Sequence, residues 1–499
     1  MNNQTIVSGL TLDDRPSRSQ VPTKIVPWFY RLARRAVFSH LSKLELGTVR
    51  IVEGDESFQF GQTTTSCRLE ATVTIHDPCV YADITLGGTV GAGDAYRRGL
   101  WRCDDLTTLV RISVLNRALL DGMDGGFALL SQPLRKAVHW LNRNTKSGSQ
   151  KNIAAHYDLG NEFFRLMLDE SMMYSCAYFE RTDATLAEAS RAKNDRICQK
   201  LQLVAGDHLL EIGSGWGGFA IHAASHYGCR VTTTTISQRQ YDLALQRVRD
   251  AGLSDDVTVL LTDYRDLPKL GLQFDKLVSI EMIEAVGHQY YNAFFEICSR
   301  MLTSHGLALI QGITIDEQFY ERAKRSVDFI QRFMFPGSCI PSVSALTRAS
   351  AKVGDLGLIH LEDIGVHYAP TLRAWGKNIV AKLPEIKALG YQPEFLRLWD
   401  FYLSYCEGGF LERTISTVHM LLCKPEWRPR TELPTRGIKK ASDAEPRFLE
   451  ETDSLFDPNR VRSRLPTGTY WPCLNRSVTE PDYDESRGTR TSISSNTVV

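Results

Sequence analysis

The chain has 499 residues, 43% of them apolar, and its 58 Lys and Arg balance 58 Asp and Glu. That length points to two or three folding units, and the balanced charge excludes a global field toward nucleic acid or anionic lipid, so any such attraction must be local. Eleven scattered cysteines with no C-x-x-C pair argue against a zinc or dithiol motif and fit reduced thiols in the cytosol.

The stretch Met1–Thr23 is polar, is broken by Pro16 and Pro22, and lacks the apolar core of a signal peptide. Pro27–Phe38 has helical spacing, with Phe29, Ala33, Val37, Leu41 and Leu44 on one stripe and Arg31, Arg34 and Arg35 facing away. Such a helix is more often a packed element with a solvated basic face, and the other reading is a helix lying on an anionic membrane. Alternation over Val49–Glu53, Phe58–Phe60, Arg68–Ile75 and Val80–Leu86, followed by Gly87, Gly88, Gly91 and Gly93, predicts a small sheet. Leu106–Leu120 reads as a helix and polar Asn142–Ser149 as a linker.

From Asn152 onward strands and helices alternate. Strands are expected at His208–Ile212, Arg230–Ile236, Val257–Leu261, Lys276–Ile280 and Leu307–Gly312, with helices at Gly218–Tyr227, Gln238–Ala251 and Tyr290–Met301. That order predicts an α/β fold, a mostly parallel sheet with helices on both faces. Pro384–Phe410 is helical and aromatic-rich, and beyond Pro429 the charged, turn-rich chain is expected to be disordered. No apolar run is long enough to span a bilayer. The expected organisation is a loose start (1–23), a small α+β N-terminal domain (24–145), the α/β domain (146–428) and a tail (429–499).

The most informative stretch is Leu209-Leu-Glu-Ile-Gly-Ser-Gly-Trp-Gly-Gly218. It reads as a buried strand carrying Glu211 near its end, then Gly213, Ser214, Gly215 and Gly217, then a helix. Glycines let the backbone turn sharply and approach a ligand closely, and a ligand here meets free N–H groups at the helix start. The spacing is G-x-G-x-G and not the G-x-G-x-x-G of a pyrophosphate turn. It resembles the S-adenosylmethionine (SAM) loop of class I methyltransferases. The loop alone leaves open a flavin or nicotinamide site, or a turn with no ligand.

Further clusters narrow this. In order, they are His156-Tyr-Asp-Leu-Gly-Asn-Glu-Phe-Phe164, Tyr174-Ser-Cys-Ala-Tyr-Phe179, Thr235-Ile-Ser-Gln-Arg-Gln240, Asp263-Tyr-Arg-Asp266, Ile280-Glu-Met-Ile-Glu-Ala-Val-Gly-His288 and Phe335-Pro-Gly-Ser-Cys-Ile-Pro341. Together with the loop they resemble the cyclopropane-fatty-acyl-phospholipid synthases and the related mycolic acid cyclopropane synthases, most strongly from Asn152 to about Trp427. The resemblance implies a class I SAM-dependent methyltransferase fold, Rossmann-like, and a region before it like the N-terminal domain of the phospholipid-acting members.

The implied cofactor site is Tyr174, Ser175, Glu211, the glycine loop, Thr235, Ser237, Gln240, Asp263, Tyr264 and Arg265; Ser237 by itself reads better as a helix cap. The family's chemistry is attack of an acyl-chain alkene on the sulfonium methyl, followed by loss of a proton so that the ring closes. A bound bicarbonate serves as base, and its implied holders are Cys176, Glu284, the backbone or side chain near Ile313, and Tyr368. Tyr157, Phe179 and Phe335 are candidates to face the passing cation. Where the best-known members carry a histidine this chain has Gln311, which can donate a hydrogen bond but cannot titrate near neutral pH. That glutamine is shared with a branch that includes plant-type cyclopropane synthases and mycobacterial-type makers of methyl or methylene branches. Cys406 stands where the family has a cysteine associated with catalysis, yet the chemistry needs no thiol nucleophile, and a pocket-wall role fits it better. His156 and His288 read as packing histidines.

The implied partners are unsaturated phospholipid acyl chains at a membrane surface, with no nucleic acid and with a homo-oligomer left open; the implied location is cytoplasmic, peripheral to the inner face of a membrane. A small-molecule methyltransferase and a non-catalytic lipid-binding protein on the same fold are the weaker readings. The co-occurrence of Cys176, Glu284 and Tyr368 speaks against the second.

Overall fold

The computed structural model describes residues 27–117 and 160–429. The expected linker, Tyr157, His156 and the tail lie outside those residues. All described residues belong to one compact unit.

Helix α1 (Pro27–Leu41) leads into β1 (Gly47–Glu53), β2 (Glu56–Gln62) and β3 (Glu70–Ile75), followed by α2 (Cys79–Arg97), β4 (Trp101–Cys103) and α3 (Leu106–Leu115). The four strands form one sheet in the order β2-β1-β3-β4, with β1 and β3 parallel and the other pairs antiparallel. Ala33 and Val37 of the α1 stripe are buried as expected. Arg34 departs from the expectation that it faces away. Its guanidinium is half-buried, bonds Glu53 at 2.9 Å and lies 4.1 Å over the Phe38 ring. A second correction concerns Val80–Leu86, which is the first half of α2 and not a strand. A short apolar run carries no period of its own to separate helix from strand. Asp77 Oδ1 accepts from Cys79 N at 2.8 Å at the start of this helix. Gly88 (φ 57°, ψ −141°) then kinks it. A Cβ on Gly91 would sit 2.0 Å from the Asp83 carbonyl oxygen, so the two halves pack only because 91 is glycine.

The second layer begins with α4 (Asn161–Met167) and α5 (Leu186–Lys200). It continues through β5 (His208–Ile212), α6 (Gly218–Tyr227), β6 (Arg230–Thr235), α7 (Gln238–Asp250), β7 (Val257–Leu261), β8 (Phe274–Ile280), α8 (Tyr291–Met301) and β9 (Leu302–Ile315). Next come α9 (Glu317–Ala323), α10 (Phe329–Phe333), α11 (Val343–Val353), β10 (Gly357–Asp363), α12 (Tyr368–Ala381), α13 (Leu383–Ala388), α14 (Pro393–Leu411) and β11 (Ile415–Cys423). The strands order as β10-β11-β9-β8-β5-β6-β7. The five central and distal strands are parallel, and β11 runs antiparallel to both neighbours. Alternate residues feed two separate cores: Leu210, Leu277, Ile310 and Met420 join one, while Leu209, Val278, Leu309 and Leu421 join the other. Helices therefore cover both faces, as for a doubly wound sheet. The segment expected to be helical, Pro384–Phe410, is so in two pieces, because Gly390 turns at φ 87° and Pro393 starts α14. Strands β10 and β11 were not anticipated.

Candidate active site

Strand order reverses between β5 and β8, and at that switch point ligands bind outside the carboxyl ends of the strands. A cavity of about 1270 Å³ opens there. Glu211 is the last residue but one of β5 and is buried, with Thr233 Oγ1 donating to it at 2.6 Å; burial lifts its carboxyl to about 7. Gly213 N and Ser214 N donate to Thr234 O at 3.0 and 2.9 Å, which ties the loop to β6. Gly213, Ser214 and Gly215 lie on the cavity wall. Gly215 has φ 48°, and a Cβ there would meet nothing within 4 Å, so the backbone faces open space. Gly217 is not on the wall: its Cβ would pack 3.3 Å from Ala244 of α7.

Beside the loop, Thr235 and Gln240 line the cavity and bond each other at 2.9 Å. Ser237 does not line it; its hydroxyl accepts from Gln240 N at 3.3 Å and caps α7. Asp263 accepts from Arg265 Nε at 2.8 Å and from its NH2 at 2.5 Å, and Tyr264 packs at 5.6 Å on Phe294; all three of Asp263, Tyr264 and Arg265 face the cavity. Tyr174 donates to the Tyr402 hydroxyl at 3.1 Å, and Ser175 accepts from the buried Lys193 ammonium at 3.2 Å. Desolvation lowers Lys193 to about 8.

Deeper in, two carboxylates separated by one turn of chain line the same wall, Glu281 and Glu284. Glu281 stands just past the end of β8 at φ 49°, a region costly for a non-glycine residue and populated at functional sites. Its Oε1 accepts from Cys176 N at 2.9 Å and Gln311 Nε2 at 2.8 Å, and its Oε2 accepts from Tyr368 OH at 2.6 Å. Glu284 Oε1 accepts from Ile313 N, while Oε2 is buried with no hydrogen-bond partner among the described residues. Burial, then the Glu281 charge, pushes Glu284 up to about 8. Sequence reasoning missed Glu281; the signal available was its position at the strand end, one residue after Ile280.

The other expected residues divide. Ile313, Tyr368, Cys406 and Phe335 line the cavity. Cys176 and Gln311 are fully buried behind the wall, and the Cys176 thiol turns to Ala177 O at 3.3 Å, with burial pushing its pKa up. Phe179 is off the wall, its N–H donating to His367 Nδ1 at 3.3 Å, and His288 is exposed. Beyond Tyr368 the cavity continues as an apolar limb past Phe410 and Tyr402 to Val49, Val73, Tyr81 and Trp101, so the small sheet and α2 form its far wall.

A strand-end glycine loop, a carboxylate pair and an apolar limb thus share one space. The sequence model for mycolic acid cyclopropane synthetase matches residues 144–420. The chain belongs to this family. As a member, it is an enzyme of the SAM-dependent cyclopropane synthase and methyltransferase class. It is 36% identical over 347 residues to the cyclopropane-fatty-acyl-phospholipid synthase of Escherichia coli K12, which spans 69% of this chain and 86% of that protein. It is 34% identical over 355 residues to the tuberculostearic acid methyltransferase UfaA1 of Mycobacterium tuberculosis, covering 67% of this chain and 79% of that protein. The solved mycolic acid cyclopropane synthase CmaA1, complexed with SAH and CTAB, superposes with a TM-score of 0.50 at 33% identity, covering 55% of this chain and 98% of that one. Among the described residues no helix is long and apolar enough to cross a membrane, and no cluster fits a metal ion.

Proposed function

We propose that this enzyme transfers the methyl group of SAM to the double bond of an unsaturated acyl chain of a phospholipid and that ring closure gives a cyclopropane. The observation that carries the reading is the single cavity running from Gly215 past Glu281 and Glu284 into an apolar limb. The residues present fit SAM: the Gly215 backbone fronts open space that a Cβ would enter, and Glu211, Asp263 and Gln240 offer polar atoms around it. Bicarbonate, implied by the resemblance, fits at one orphaned atom, Glu284 Oε2, which carries a proton at neutral pH and can donate it in a hydrogen bond. Glu284 would hold the ion, whereas Cys176 and Gln311 are turned elsewhere and the one hydroxyl hydrogen of Tyr368 is already given to Glu281. When bound, SAM supplies an electrophilic sulfonium methyl and bicarbonate a weakly nucleophilic base.

This chain's own residues then set the conditions. Apolar side chains from both layers keep water from an acyl chain that has gained positive charge. The Tyr368 and Phe410 rings, stacked at 4.3 Å, present aromatic faces in the same region. Glu281 adds negative charge at fixed distance, held by its three donors. Methyl or methylene branching is the second reading, favoured by the likeness to the tuberculostearic acid methyltransferase. The cofactor residues and a membrane-peripheral location belong to the same proposal, as does a division near residue 145 between a lipid-facing N-terminal part and the catalytic part.

Expression in a bacterial host lacking the activity, followed by mass spectrometry of the phospholipids, tests it. A gain of one CH2 with loss of the olefin signature supports the cyclopropane. A gain of one CH2 with a retained double bond supports a methylene branch. Unchanged acyl chains would overturn the lipid reading.

A further inference from the structure

Across four neighbouring strands a row of polar side chains crosses the sheet behind the cavity. The register places Glu362 of β10 opposite His419 of β11, His419 opposite Gln311 of β9, and Gln311 opposite Ile280 of β8, one residue before Glu281. The side chains are joined in the same order. Lys200 of α5 bonds Glu362 and lies 3.0 Å from His419 Nδ1; His419 Nε2 lies 3.0 Å from Gln311 Oε1; Gln311 Nε2 lies 2.8 Å from Glu281 Oε1. His419 and Gln311 are both 0% exposed.

The row has one direction. An ammonium can only donate, so Nδ1 of His419 accepts and its ring proton sits on Nε2. Nε2–H then donates to the Gln311 carbonyl oxygen, which aims the Gln311 amide N–H at Glu281. Rotating that amide by 180° would set oxygen against the carboxylate and two N–H donors against each other. Burial, then the nearby Lys200 charge, lowers the imidazole pKa well below the ordinary value, so the ring stays neutral with one proton. Glu281 is also faced by Lys193 from α5, Tyr368 from α12, the Cys176 N–H and Glu284.

We propose that His419 is a positioning residue, which through Gln311 holds the Glu281 carboxylate ionised and oriented toward the cavity. The titratable ring that Gln311 lacks thus stands one strand further out, where it fixes orientation and exchanges no proton with substrate. This rests on the lipid reading only for its activity measurement.

The experiment compares His419→Leu with His419→Gln, since glutamine can still donate to Gln311 and accept from Lys200. Turnover on vesicles of a monounsaturated phospholipid, calorimetric titration with S-adenosylhomocysteine and infrared spectra of the carboxyl region are read on each. For His419→Leu, kcat should fall at least tenfold with S-adenosylhomocysteine affinity within threefold, and the acid limb of the rate profile should move to higher pH. Beyond the protonated carboxyls that wild type already carries, Glu284 among them, an additional protonated-carboxyl band should appear in the variant-minus-wild-type difference spectrum at pH 7 and be absent when Glu281→Gln is added. His419→Gln should stay within threefold of wild type and show no such band. Wild-type kcat in His419→Leu, or equal losses in both variants with no new band, would overturn the proposal. Should His419→Leu not fold, Lys200→Met at the outer end of the row decides: the same band supports the relay, and its absence overturns it. A wild-type enzyme inactive on the vesicles would sink the lipid reading alone, because the infrared band reads the relay without turnover.

Discussion

Tyr368 donates its hydroxyl hydrogen to Glu281 Oε2 at 2.6 Å, which joins the first turn of α12 to the end of β8 across the cavity wall. A hydrogen bond to a charged group contributes about 1.5–3 kcal/mol. Tyr368→Phe keeps the ring on Phe410 and removes only that donor. We expect kcat to fall about 10- to 100-fold, with S-adenosylhomocysteine affinity little changed, the pattern of an interaction that matters in the transition state. A Phe variant that raises KM and leaves kcat intact would assign the hydroxyl to substrate binding.

Glu284 makes a prediction in pH. Its carboxyl is raised from 4.5 to about 8 by burial and by Glu281. An acid with a raised folded pKa keeps its full contribution below the unfolded pKa and loses it as pH climbs through the folded one. Between about pH 5 and 8 this residue therefore erodes stability. Glu284→Gln, neutral throughout, should gain about 1–3 kcal/mol on wild type over that window, seen as a difference in Tm that widens with pH, while turnover drops. Wild-type rate should decline above about pH 8 as the proton leaves, and it should fall in bicarbonate-free buffer and return on adding bicarbonate. Parallel Tm curves for the two proteins would mean that Glu284 is already ionised at neutral pH.

At the glycine loop, Gly215→Val places a branched side chain at φ 48° into open cavity. Backbone strain alone costs about 1–2 kcal/mol, so the fold should survive. Affinity for S-adenosylhomocysteine should fall beyond calorimetric detection. Gly252→Val is the control, since Gly252 has φ 69° and equally open surroundings but lies off the cavity wall. It should show the strain and bind normally. Equal binding by both variants would remove the loop from the cofactor site.

Most of the parallel sheet was legible because its strands are short β-prone runs followed by turns and helices, as His208–Ile212 with its glycine loop and the amphipathic helix Gln238–Asp250 show. The antiparallel edge was not. Strand β10 is largely exposed along Gly357–Asp363, so no alternation marks it, and β11 is an apolar run that only its pairing with β9 identifies. Val80–Leu86 failed for a related reason, since packing against both α1 and α14 decides its conformation and no local period does. In the site, the residues fixed by backbone geometry could be read from spacing. Lys193 and His419 could not, because each gains its place from register or from a helix distant in sequence.

A membrane contact through α1, which the proposed lipid substrate invites, would need a different residue set from the three arginines that its helical spacing singles out. Arg34 is committed to Glu53 and the Phe38 ring, whereas Arg31 and Arg35 are exposed on the same helix as Trp28 (61% exposed) and Leu32 (52%). An exposed aromatic and leucine beside two cations match the make-up of a helix face that seats on an anionic surface. Each basic residue near such a surface contributes about 1 kcal/mol, so losing two should weaken vesicle binding about thirtyfold. Arg31→Gln with Arg35→Gln is expected to do so on vesicles rich in phosphatidylglycerol, with activity on detergent-dispersed lipid preserved and with high salt giving the same loss in wild type. Trp28→Ala should weaken binding in a salt-independent way, because its contribution is apolar. Arg34→Gln should act differently from all of these, lowering Tm while leaving vesicle affinity alone. Vesicle binding that is indifferent to Arg31, Arg35 and Trp28 together would make this helix a packed element only and place the lipid contact on another part of the surface.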